Sequence, residues 1–194
     1  MRIGPFQVGA VVQLLWICHA AAAVFYVNAD SANPTPPYAD WSTAATTLQD
    51  AIDLSTNGDQ ILVTNGTYAT GGRAVYGAAT NRVAVDRPVV VESVNGPQFT
   101  IIQGVPGPAN AAVRCVYLTN GAALIGFTVK SGCSRNAGDW YNEQSGGGVL
   151  CQSASSLVSN CTLTLNYAYG GGGGVVSGTL SNCILSGNKA LEGG

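Results

Sequence analysis

The sequence predicts an all-β chain wound into a right-handed parallel β-helix solenoid, with a short N-terminal capping helix and a truncated C-terminal end. Three observations predict it. Gly occurs 26 times while charged residues make up only 9% of the chain, a composition suited to short strands and tight turns. Brief apolar runs alternate with Asn and Gly along most of the length, as strands separated by corners would. Residues 158–172, VSNCTLTLNYAYGGG, align without a gap on residues 180–194, LSNCILSGNKALEGG, with 8 of 15 positions identical. A repeat near 22 residues suits one coil of a solenoid, whose units bury their apolar faces by stacking on their neighbours.

The first segment reads as a signal peptide spanning residues 1–23. Arg2 supplies the positive region, Val8 to Ile17 the apolar stretch, and Ala20 to Ala23 a small-residue cleavage region with cutting after Ala23. Gln13, His19 and the alanine run argue against an uncleaved anchor. The mature chain, residues 24–194, is therefore expected to be secreted, extracellular or displayed at an outer-membrane surface, with no membrane-spanning segment of its own. Cys18 leaves with the signal, so Cys115, Cys133, Cys151, Cys161 and Cys183 remain. That odd number leaves at least one thiol unpaired.

The solenoid itself opens on Val24-Phe25-Tyr26-Val27, a short strand, followed by a polar, Pro-rich loop to Asp40. Thr46 to Leu54 places Leu48, Ala51 and Ile52 on one helical face, and Asn57-Gly58 is expected to close that helix with a left-handed cap. Gln60 to Thr64 reads as a strand and Asn65-Gly66 as a turn. The run Leu48-Gln49-Asp50-Ala51-Ile52, then Gly58 to Val63, then Gly66-Thr67-Tyr68 resembles the N-terminal opening of the pectin-lyase-like β-helix superfamily. That resemblance implies a helix closing the open end of the solenoid. Such a cap has a physical purpose, since it covers both an exposed sheet edge and an apolar bore.

In the repeats, alternation assigns faces. Phe127, Cys161 and Cys183 are expected inward, with Val129, Leu163 and Leu185; Thr128, Thr162 and Ile184 outward, with Lys130, Thr164 and Ser186. Residues 124–132, LIGFTVKSG, form a degraded earlier copy. Asn166 and Asn188 end their strands, where stacked amides can share hydrogen bonds, and Gly146 to Gly148 and Gly170 to Gly174 supply sharp corners. The order strand-N-C-x-L-x-x-N-x-A followed by GG resembles repeats of bacterial proteins of the polymorphic outer membrane protein type, which implies fold and location more than activity. Gly194 falls in register with Gly172, so the sequence reads as a fragment that stops in mid-coil.

Composition also narrows function. The formal net charge is −2, which leaves no basic footprint for nucleic acid. His19 is the only His, so the mature chain holds none for general-base work or a His-ligated metal. Asp86, Arg87 and Glu92 flank a short apolar run and read as strand ends, and Thr70 stands where the resemblance to pectin methylesterases would require Glu. No catalytic residue, metal or cofactor is expected. Cys161 and Cys183 allow either a disulfide across adjacent coils or a ladder of buried thiols. The insertion Cys133 to Ser145 gathers Asp139, Trp140, Tyr141, Asn142 and Glu143, candidates to stack on a sugar ring and hydrogen-bond it, or else a loop whose aromatics fold back on the coil. The expected role is a structural, adhesive or glycan-binding surface protein with a polysaccharide or cell-surface partner. The alternative is a carbohydrate-active enzyme, a polysaccharide lyase or pectinesterase, whose site lies beyond Gly194.

Overall fold

The structure, a computed structural model, describes residues 21–107 and 111–192. Most of the expected signal peptide, and Gly194 with its proposed register, lie outside the described residues. The rest is a parallel β-solenoid with three long sheets and one short helix.

The first sheet stacks β1 (Val24–Val27), β2 (Gln60–Val63), β6 (Val90–Ser93), β9 (Ala123–Ile125), β12 (Leu157–Ser159) and β16 (Thr179–Ser181) in that order. The second stacks β3 (Gly66–Tyr68), β7 (Thr100–Gln103), β10 (Thr128–Lys130), β13 (Thr162–Thr164) and β17 (Ile184–Ser186). The third runs from β4 (Arg73–Ala74) through β5 (Thr80–Val85), β8 (Val113–Leu118) and β11 (Val149–Cys151) to β15 (Val175–Val176). A short fourth ladder joins β14 (Tyr167–Ala168) to β18 (Lys189–Ala190). Every pair is parallel except β4 with β5.

Register explains the core. Phe25, Ile61, Val91, Leu124, Val158 and Leu180 stack as one column of the first sheet. Tyr68, Ile102, Val129, Leu163 and Leu185 stack in the second, and Val83, Val116, Val149 and Val175 in the third. These columns fill the bore between the sheets, and all but the members on the last coil are buried. Each β-branched or aromatic residue fits a pleated face and finds a similar neighbour about 4.8 Å above and below. The expected pairing of Leu163 with Leu185 is present.

The repeat length is not uniform. An offset of 22 joins Asn166 to Asn188, whereas 34 separates Gly132 from Asn166. Each longer coil keeps its strands in register and puts the extra residues into loops, so only the last coil has the short period seen in the sequence. Inward side chains of that coil are partly uncovered: Leu185 is 50% exposed.

The helix α1 spans Leu48–Leu54, shorter than expected, because the Thr47 side chain accepts the Asp50 amide at its start. It ends at Ser55 in an extended conformation, and Gly58 takes its positive φ in the following turn instead of capping the helix. Likewise Asn65-Gly66 forms no separate turn, since Gly66 already belongs to β3, and β2 stops one residue before Thr64. Leu48, Ala51 and Ile52 close the bore as expected. Gln49 does more: its amide exchanges two hydrogen bonds with the Ala84 main chain, at 2.9 and 3.2 Å. A side chain thereby pairs backbone groups on the first long strand of the third sheet that would otherwise form a bare edge. No helix among the described residues is long and apolar enough to cross a membrane.

Candidate functional site

The three sheets differ on their outer faces. On the third, Ala84, Tyr117, Leu150 and Val176 stack in register, and the first three are buried beneath Val75 and Tyr141. The Tyr76 ring meets Tyr117 edge-on at 5.8 Å. Two excursions therefore build a second layer over this sheet, residues 71–79 and the insertion 133–145.

Glu143 ties those excursions together. Its carboxylate accepts the Ala78 and Asp139 amides, each at 2.9 Å, and pairs with Arg135. Gly77 and Gly138 make room for it, because a Cβ at either would fall within 2.5 Å of its carboxylate. The amides of Asp139 and Ala78 and the Arg135 guanidinium hold the Glu143 pKa below the usual glutamate value against the cost of burial. Beneath it, Arg114 is fully enclosed. It donates to the carbonyls of Gly146, Asn142 and Ser145 and to Asn81 Oδ1, at 2.8–2.9 Å. Burial pushes the Arg114 pKa down to about 10, which leaves it charged at neutral pH.

The five residues singled out in the insertion therefore have distinct places. Asp139 Oδ1 accepts both amide groups of Asn142, at 2.7 and 3.0 Å, closing a local turn. The Tyr141 hydroxyl lies against Cys151 O at 2.6 Å and Ser177 Oγ at 2.7 Å, so its ring folds back on the coil. Glu143 is buried at the joint. Asp139 and Trp140 are exposed, Trp140 over 49% of its area, with Nε1 donating to Glu192 at 2.9 Å. Sequence reasoning missed Arg114 and Gly77. A charge inside VRCVYL carries no local signal for burial, since its partners are Asn81 on β5 and residues in and just after the insertion.

The second sheet is different. Its outer column runs Thr67, Ile101, Thr128, Thr162 and Ile184 in unbroken register. Beside it run Gln103, Lys130, Thr164 and Ser186. All nine side chains are half-buried or exposed, and among the described residues no buried cluster forms over them. Five rungs at solenoid spacing make a straight strip about 19 Å long. It offers hydroxyls, methyl groups, one amide and one cation at fixed intervals.

No concentrated chemistry accompanies that strip. Asp86 pairs with Arg87 at 2.8 Å, while Glu92 accepts from Gln60 at 2.8 Å, so the carboxylates flanking the apolar run serve different partners. Among the described residues no group of three or more His, Cys, Asp or Glu is placed to hold a metal ion. The described cysteines are free thiols. Comparison with protein-family models, with curated proteins and with solved structures finds no match.

Proposed function

We propose that this chain is the solenoid of an exported, surface-displayed adhesive protein, similar in kind to polymorphic outer membrane protein repeats, and that it binds a polysaccharide or cell-surface partner. The outer column Thr67-Ile101-Thr128-Thr162-Ile184 carries the reading. A strip that mixes hydroxyl and methyl groups matches the two characters of a sugar ring, whose hydroxyls hydrogen-bond and whose C–H faces are apolar. Each contact is weak, but a polymer meets many rungs at once, and avidity accumulates along the strip without a deep pocket. The exposed Trp140 ring supplies a second place for a sugar to stack.

A glycan array and polysaccharide pull-down on the 194-residue chain test this. Thr162→Arg with Ile184→Arg places two bulky charges on the strip and leaves the inward columns and the Thr128–Pro97 hydrogen bond untouched. Binding is expected for the native chain and at least tenfold weaker for the double variant, with the thermal midpoint unchanged. Absence of binding to any glycan or cell surface, or measurable polymer cleavage in its place, overturns the reading.

A further inference from the structure

A second feature, independent of the outer strip, lies at the capped end. A cavity of about 250 Å³ opens between the start of α1 and residues 70–72, with Tyr68, Arg82 and Val83 in its lining. Arg82 is 8% exposed. Its Nε donates to Gln103 O at 2.9 Å and its Nη1 to Gly71 O, both neutral carbonyls. The ion pairs of the described residues are Arg73–Asp53, Arg87–Asp86 and Arg135–Glu143, so no carboxylate reaches Arg82.

Arg114 shows how this fold satisfies a buried guanidinium. It has four acceptors and feels the Glu143 charge. Arg82 has two acceptors and a cavity. A buried charge without a counter-ion is costly, and an anion entering that cavity relieves the cost.

The rest of the lining narrows the ligand. The Tyr68 hydroxyl is committed to Thr64 O at 3.1 Å, so Tyr68 offers its ring. The Gln49 amide is committed to Ala84 and Asp53. What remains is Tyr68, Leu48 and Val83 as apolar surface, with threonine hydroxyls at the edge. Asp50 also lines the opening and is exposed, so a ligand with a second negative charge is disfavoured. A cavity of about 150 Å³ holds benzene, and this one therefore has room for a ring bearing one carboxylate.

We propose that this cavity binds a small organic monocarboxylate, its carboxylate paired with Arg82 and its flat apolar body against Tyr68 and Val83. Thermal unfolding of the 194-residue chain in low salt, with millimolar benzoate, benzamide or phosphate, provides the test. Benzoate is expected to raise the midpoint by on the order of 5 °C near saturation, while benzamide and phosphate do not. Arg82→Gln removes the anion partner, and Thr70→Trp fills the mouth from an exposed position without touching Arg82. Both are expected to abolish the shift. Should R82Q fail to fold, T70W decides. The proposal is overturned if benzoate gives no shift, if benzamide or phosphate matches it, or if the shift survives in T70W or in folded R82Q.

Discussion

The amide of Asn166 lies directly on that of Asn188: Nδ2 of the first donates to Oδ1 of the second at 3.0 Å, and the same oxygen accepts the Asn166 backbone N–H at 3.1 Å. Asn166 Oδ1 in turn accepts the Gly132 amide at 2.8 Å, and its Nδ2 also reaches Val129 O at 3.0 Å. Each Asn side chain thus closes the corner of the preceding coil, Asn188 holding the Asn166 N–H and Leu163 O as Asn166 holds the Gly132 N–H and Val129 O. Asn166 is buried, so Asn166→Leu strands the Gly132 N–H and the Val129 carbonyl. We expect a loss of about 2–4 kcal/mol, from a desolvation penalty of roughly 1–3 kcal/mol per orphaned group, read by urea unfolding. Asn188→Ala, on the more exposed coil, is expected to cost less than half as much.

Glycines behind those amides are needed for space. A Cβ at Gly147 would lie 2.1 Å from Tyr167 O, and one at Gly132 would lie 2.2 Å from Gly147 O. Backbone of one coil there passes against backbone of the next, where no side chain can yield. Gly107 provides the contrast, since its nearest contact is Ala111 Cβ at 3.4 Å. Gly147→Ala is expected to destabilise by about 3 kcal/mol or more, in the upper range for single substitutions, and Gly107→Ala to stay within about 0.5 kcal/mol. Equal midpoints for the two variants in thermal unfolding would contradict close coil-to-coil contact at this corner.

These corners mark what the sequence could convey. The match of residues 158–172 to 180–194, 8 of 15 positions, placed Leu163 on Leu185, Cys161 above Cys183 and Asn166 on Asn188, because stacked coils meet the same environment. Phe127 and Val129 could be aligned as a degraded copy even though the insertion stretches their coil to an offset of 34. The insertion itself was opaque. Glu143, a carboxylate in a polar run, gives no local hint that amides of Ala78 and Asp139 enclose it. Arg82 and Arg114 sit within apolar strands, where their acceptors belong to strands and loops distant in sequence. Period and alternation report contacts within a sheet; contacts between loops leave no such trace.

Glu143 makes the outer layer sensitive to acid. Its folded pKa lies below the ordinary value, held there by the Asp139 and Ala78 amides and by Arg135. The stabilisation this gives is complete above the unfolded glutamate value, near 4.3, and is lost as pH falls through the lower folded value. Thermal midpoints of the native chain are therefore expected to drop in acid more steeply than those of Glu143→Gln. At neutral pH that variant should be less stable by about 1–3 kcal/mol, the range for weakened hydrogen bonds to a charged group. Parallel acid profiles for the two proteins would place Glu143 outside the joint between the excursions.

Cys161 and Cys183 provide a chemical reading of the stack. Cys161 is buried, Cys183 half-buried, and both thiols are free. Each thiol donates to a carbonyl beside it, Cys161 to Ser159 O at 3.1 Å and Cys183 to Val158 O at 3.3 Å. The neighbouring Cys161 thiol lowers the Cys183 pKa, while Cys183 and burial together raise that of Cys161. Burial alone pushes Cys151 up to about 12. Iodoacetamide should consequently modify Cys183 first, with Cys115, Cys151 and Cys161 protected until the chain unfolds. The pH at which the Cys183 alkylation rate reaches half its plateau is expected below the ordinary cysteine value near 8.5, because thiolate is the reacting species. Cys161→Ala removes that neighbouring thiol and should move the half-point upward toward 8.5 without altering access to Cys183 from solvent. Mass mapping after alkylation checks both statements. A half-point that stays put in the variant means the two sulfurs do not touch, and resistance of both to alkylation until a reductant is added means they are joined as a disulfide.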